Sequence, residues 1–186
     1  MKKIDTSSWK PFLLQEIFEV MHCSKINYKV CELNDYPTPE ANLPALTAGV
    51  KNQGLSVFVP RNGATILKDC ISVSANGANA GAMFYQPNEF TVLQDSFAIQ
   101  CKFEKGRTRG VTFFLLGILN KTVSVKHDWK RKAGWNKIKE DVILLPVDKN
   151  QLPDWDMIEN FMKNIEDSVT QKINLVDSVI NGVSKN

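Results

Sequence analysis

Seven apolar residues near the C-terminus, Ile158, Met162, Ile165, Val169, Ile173, Val176 and Ile180, recur at intervals of 4, 3, 4, 4, 3 and 4. Intervals of three and four place all seven on one face of an α-helix. Pro146 and Pro153 bracket Val147-Asp148-Lys149-Asn150-Gln151-Leu152 as a linker, and Asp154 is positioned to cap the helix that follows. A helix from Trp155 to Ile180 extends about 39 Å at 1.5 Å per residue, well beyond the average globular helix. Such a rod needs either a partner helix or a long surface of its own domain. The body preceding it is short for covering that length, so the stripe is read as a dimerisation face. The chain therefore divides into one domain over residues 1–150 and a helical appendage over 151–186.

The body reads as α+β with a β-rich centre. Trp9-Lys10-Pro11-Phe12-Leu13-Leu14-Gln15-Glu16-Ile17-Phe18 carries Leu14, Ile17 and Phe18 at helical spacing, which predicts a short amphipathic helix. From Ile26 to Pro60 short apolar runs alternate with Asn34-Asp35, Gly49, Gly54 and three prolines, the texture of strands and turns. Leu55–Val59 is a predicted strand, followed by a turn at Arg61-Asn62-Gly63. Cys70–Ser74 and Ala82–Gln86 are predicted strands around a small-residue loop, and Phe97–Phe103 alternates as another. The unbroken apolar run Val111–Leu119 is predicted to be a buried helix.

Charge is distributed unevenly. Between Lys102 and Lys139 eleven basic residues face two acidic ones, a net +9, whereas the rest of the chain holds twelve basic and eighteen acidic residues, a net −6. A segment this basic is either a solvated surface or the footprint of a polyanion, whose condensed counterions are released as phosphates are neutralised. Lys102, Lys105, Arg107, Arg109, Lys126, Lys130, Arg131 and Lys132 are the candidate phosphate contacts within it, and His127 is read as a DNA-facing or surface residue of the same run. Lys51, Asn52, Gln53, Arg61, Asn62, Asn76 and Asn79 fall in predicted loops. Asn and Gln can bond adenine edges and Arg can bond guanine, although each asparagine is equally suited to forming a turn.

Several chemistries are disfavoured. There is no G-x-x-x-x-G-K-[ST] loop for nucleotide hydrolysis and no G-x-S-x-G elbow, and His22 and His127 are the only histidines. Cys23, Cys31, Cys70 and Cys101 show neither Cys-x-x-Cys pairing nor a nearby histidine cluster, so they are read as reduced structural residues. Asp128-Trp129-Lys130 is an acid-x-Lys triplet of the kind found in Mg²⁺-dependent nucleases. It leaves a self-sufficient endonuclease using Asp128 and Lys130 as the alternative reading, with an assembly scaffold that ignores DNA as a third. No segment approaches the ~18 uncharged apolar residues that span a bilayer, and Met1-Lys2-Lys3-Ile4-Asp5 does not open a signal peptide. A cytoplasmic protein without membrane association is expected.

The order of motifs resembles the specificity subunits of type I restriction-modification systems and the related recognition domains of type IIB and IIG enzymes. Trp9–Phe18 is similar to the family's domain start. Leu43-Pro44-Ala45-Leu46-Thr47-Ala48-Gly49 with Asn52-Gln53-Gly54-Leu55 resembles a second conserved stretch, with Ala45 where the family has an aromatic. Ile71–Gly77 with Gly81 and Phe84-Tyr85-Gln86, then Ile143-Leu144-Leu145-Pro146 and Pro153-Asp154-Trp155, complete the series. The resemblance implies a non-catalytic target-recognition domain on one dimerisation helix, half of the usual layout of two recognition domains separated by two long antiparallel helices. It further implies double-stranded DNA, methyltransferase subunits and a restriction subunit as partners, and a homodimer that reads a bipartite target. S-adenosylmethionine, Mg²⁺ and ATP are expected on partner subunits and no cofactor on this chain, which lacks a [DN]-P-P-[YF] motif.

Overall fold

The computed structural model describes residues 4–24, 26, 32–128 and 130–183. Met1, Lys2, Lys3, Cys31 and Trp129, which entered the readings above, lie outside these residues.

The opening segment departs from the single helix expected. Lys10–Leu13 is strand β1, Leu14–Ile17 is one helical turn (α1), and Phe18–Val20 is strand β2. Long-range pairing overrides the local period: β1 runs antiparallel to β9 (Val142–Leu145), and β2 runs antiparallel to β8 (Ser96–Cys101). The Leu13 amide donates to the Glu16 carboxylate at 2.5 Å, capping the turn between them. Leu14, Ile17 and Phe18 are buried at this junction, so their spacing reports enclosure of one turn and not a helical face.

The main sheet is fully antiparallel with the order β2-β8-β5-β6, where β5 is Cys70–Ser74 and β6 is Met83–Gln86. Strand β5 is buried along its whole length. Its serines are satisfied there: Ser72 Oγ donates to the Phe84 carbonyl at 3.4 Å and accepts from Gln86 Nε2 at 3.0 Å, and Ser74 Oγ donates to the Asn76 carbonyl at 3.3 Å. A second sheet places β3 (Leu43–Leu46) between antiparallel β4 (Leu55–Val59) and parallel β7 (Thr91–Val92). Helix α2 (Arg109–Thr122) forms from the apolar run, capped by Thr108, and packs along β6. A short α3 (Trp135–Ile138) precedes β9.

The long helix α4 covers Trp155–Val183, and the Met157 amide donates to Asp154 at 2.9 Å as its cap. Its first turns are part of the body. Trp155 lies 5.4 Å from the Phe103 ring, Phe161 meets Phe114 edge-on at 6.1 Å, and Glu159 takes a hydrogen bond from the Thr108 hydroxyl. Gly110 permits this approach, because a Cβ there would sit 3.1 Å from Glu159 Oε2 and 3.3 Å from Met162 Cβ. Ile158 is 0% exposed, and Met162 and Ile165 are partly covered. From Glu166 to Ile180 every residue is exposed. The stripe is thus two surfaces, and Ile158 leaves the dimerisation set because its own core encloses it. The segment beyond Ile165 projects about 27 Å. Among the described residues no helix is long and apolar enough to cross a membrane.

Candidate nucleic-acid interface

The β5–β6 hairpin and α2 run side by side and present polar loops at both ends. At one end the small-residue loop Ala75–Ala82 packs on the basic segment that follows α2. Ser124 Oγ donates to the Gly81 carbonyl, and the Ala133 amide donates to the Ala75 carbonyl at 3.0 Å. Gly81, at φ +88°, is required here: a Cβ would stand 3.2 Å from both His127 Cβ and Ser124 Cα. The contact sets the loop that carries Asn76 and Asn79 against the segment that carries Lys130, Arg131 and Lys132. Asn76 Nδ2 is held by Asp95 at 3.2 Å, while Asn79 is exposed. Lys130, Arg131 and Lys132 are exposed with no carboxylate partner among the described residues.

Two residues at this end do other work. His127, expected to face DNA, is buried with its side chain 0% exposed, Nε2 at 2.8 Å from Asp141 and Nδ1 at 3.2 Å from the Arg131 carbonyl. It anchors the basic loop from beneath, and Lys126 leans on the same carboxylate at 3.4 Å. Asp128 accepts the amides of Lys130 and Arg131 at 2.8 and 2.7 Å, an Asx turn that shapes the loop. That turn accounts for the acid of the acid-x-Lys triplet. Among the described residues no group of three or more His, Cys, Asp or Glu could hold a metal ion.

At the other end lies the turn Lys51–Gly54, in which Asn52 (φ 46°) and Gln53 (φ 57°) are both left-handed. Two consecutive non-glycine residues in that region store strain of about 1–3 kcal/mol each, a feature that concentrates at ligand-binding segments. Gly54 makes the turn possible, since a Cβ would fall 2.9 Å from the Thr47 carbonyl. An open groove of about 320 Å³ separates this turn from α2, lined by Gln53, Tyr85, Arg109 and Phe113 among others. Phe113 is 42% exposed, Tyr85 meets it edge-on at 5.2 Å, and the Arg109 guanidinium lies 5.7 Å from its centroid. Tyr85 donates its hydroxyl to Asp69 at 3.0 Å. Partial burial, and then that bond, push its phenol above the ordinary value, so it stays a neutral donor.

Four of the remaining candidates are committed to the body. Arg61 pairs with Glu89 at 2.6 Å, Arg107 donates to the Cys101 carbonyl and to Glu19, Lys105 bridges to Asp156, and Lys102 donates to the Gln15 carbonyl. Lys51 and Asn62 are exposed loop residues. Burial pushes the Cys70 thiol up to about 12 and raises that of Cys101, so neither is a ready nucleophile. The aromatic wall was not anticipated, because Phe113 sits in a run read as wholly buried. Its position four residues after Arg109 and four before Gly117 on a helix marks it as outward-facing.

The two polar ends lie about 21 Å apart along α2, the rise of some six base pairs. A strand-and-loop body with cations and amides at its edges, carried on a projecting helix, has the build of a recognition module on a spacer. Residues 6–176 match the type I restriction modification DNA specificity domain, and the chain belongs to that family. It is similar to the type II restriction enzyme specificity subunit S.BcgI of Heyndrickxia coagulans, 25% identical over 169 residues covering 91% of this chain and 47% of that one. Its fold resembles the type I restriction-modification S subunit from M. genitalium, with a TM-score of 0.57 at 17% identity over 93% of this chain and 44% of that one. It also resembles a chain from a structure concerned with complex assembly and conformational transition of the type I system, with a TM-score of 0.59 at 12% identity over 96% and 43%. The chain spans less than half the length of each of these proteins.

Proposed function

We propose that the chain is a sequence-specific DNA-recognition module of a restriction-modification system, that it catalyses nothing itself, and that it directs separate methyltransferase and nuclease subunits to a bipartite target. The observation that carries this reading is the family match over residues 6–176. The uncommitted cations and amides at both ends of α2 support it. Two copies pair through the projecting part of α4, at Val169, Ile173, Val176 and Ile180, and two-fold pairing favours a target with two-fold-related halves. S-adenosylmethionine, Mg²⁺ and ATP act on the partner subunits.

Methylation-site mapping in cells expressing the chain beside its cognate methyltransferase tests the reading. A bipartite motif that vanishes when the chain is removed supports it, and a methylation pattern indifferent to the chain refutes it. Arg131, exposed on the loop that His127 anchors, is assigned a phosphate contact. Arg131→Ala is expected to weaken binding to all sequences by a similar factor and to reduce the slope of log affinity against log salt by about 1. Titrations at several salt concentrations measure it, and an unchanged slope removes Arg131 from the phosphate contacts.

A further inference from the structure

The geometry points to Arg109 as a guanine-reading residue, working on the aromatic platform of Phe113 at one end of the hairpin. The assignment rests on the DNA-recognition reading above and deepens it, since composition had made Arg109 only one of many phosphate contacts.

The chain has four arginines. Arg61 and Arg107 are bonded to carboxylates, and Arg131 lies at the opposite end of α2. Arg109 has no acidic partner among the described residues and rests over the Phe113 ring at 5.7 Å. Stacking on a ring orders a guanidinium without consuming its N–H donors, so the planar fork remains available for two acceptors side by side. In duplex DNA, guanine O6 and N7 form such a pair in the major groove. A phosphate could also accept a fork, but the walls argue against one: Tyr85 and the exposed ring of Phe113 give the groove an apolar side suited to a base edge or a thymine methyl group. Across the groove, Gln53 is held by the left-handed turn, and Gln86 Nε2 reaches its carbonyl at 3.4 Å while also bonding Ser72. Gln53 is therefore placed to read the adjacent base.

The test compares the full chain, supplied with its methyltransferase, against Arg109→Ala, Arg109→Lys and Phe113→Leu by selection from randomised duplexes. Arg109→Ala is expected to relax the preference at a single guanine position by about 5- to 150-fold while leaving the other positions intact. Arg109→Lys keeps the charge but loses the fork, so discrimination at that guanine is expected to fall while salt dependence stays as in the wild type. Phe113→Leu is expected to act at the same or the neighbouring position. A uniform loss of affinity for all sequences with Arg109→Ala, or full discrimination with Arg109→Lys, overturns the assignment. A wild-type protein with no preference at any position overturns the DNA-recognition reading itself, so the two failures are distinguishable.

Discussion

Replacing Ile173 and Val176 together with glutamate is expected to turn a dimer into a monomer while leaving the body folded. The two side chains are 54% and 56% exposed on the projecting half of α4, so the isolated chain loses little by the change. In a dimer they are covered. Fully burying such a side chain is worth about 1.5–3 kcal/mol, so covering the exposed half contributes about 1 kcal/mol. Four side chains across a two-fold axis then contribute about 4 kcal/mol, a dissociation constant raised about a thousandfold before the cost of burying glutamate is counted. The spacing 4, 3, 4 of Val169, Ile173, Val176 and Ile180 reads the same in either direction. An antiparallel second copy therefore sets Val169 against Ile180 and Ile173 against Val176 and holds the two bodies at opposite ends. Sedimentation measures the oligomer and binding to full and half targets measures its use: the variant should keep half-site affinity and lose an avidity gain of about 10²–10⁴. A wild-type monomer at tens of micromolar, or a double variant that still dimerises, ends the pairing model.

The same helix shows what could and could not be read beforehand. Its period, its cap at Asp154 and its length are local properties, written in intervals of three and four. Where it leaves the body is not local: that depends on Gly110 of α2 admitting Glu159 and Met162 and on Phe114 meeting Phe161, which no stripe encodes. Strands β4, β5, β6 and β8 were legible from apolar runs between turns. β1 and β2 were not, because partners about 80 and 130 residues away impose extension on a segment with helical spacing. At the candidate interface, composition marked the basic segment but could not sort it. Arg107 and Lys105 are neutralised by Glu19 and Asp156, residues remote in sequence, whereas Arg109 and Arg131 are left uncommitted.

The sharpest case of such sorting is His127, and it carries the largest expected loss of stability. Its ring is buried against Asp141, whose own backbone is tied into the body: the Asp141 amide donates to Ile138 and its carbonyl accepts from Leu14, each at 2.9 Å. The pair pins the loop bearing Lys130, Arg131 and Lys132 to the junction of α1 and β9. Asp141→Ala leaves the buried imidazole without its acceptor and frees Lys126. Breaking a buried pair from one side costs about 3–5 kcal/mol, and at about 2–4 °C per kcal/mol for a domain of this size the melting temperature is expected to fall by about 10 °C. Removing both partners with His127→Leu and Asp141→Ala should cost less than Asp141→Ala alone, because no uncompensated polar group remains buried. The loosened loop should weaken binding to every DNA sequence in both variants, leaving base preference at the Arg109 end intact. Thermal melts with matched DNA titrations measure the two effects, and a fall below about 2 °C for Asp141→Ala would show that the pair is not what holds the basic loop in place.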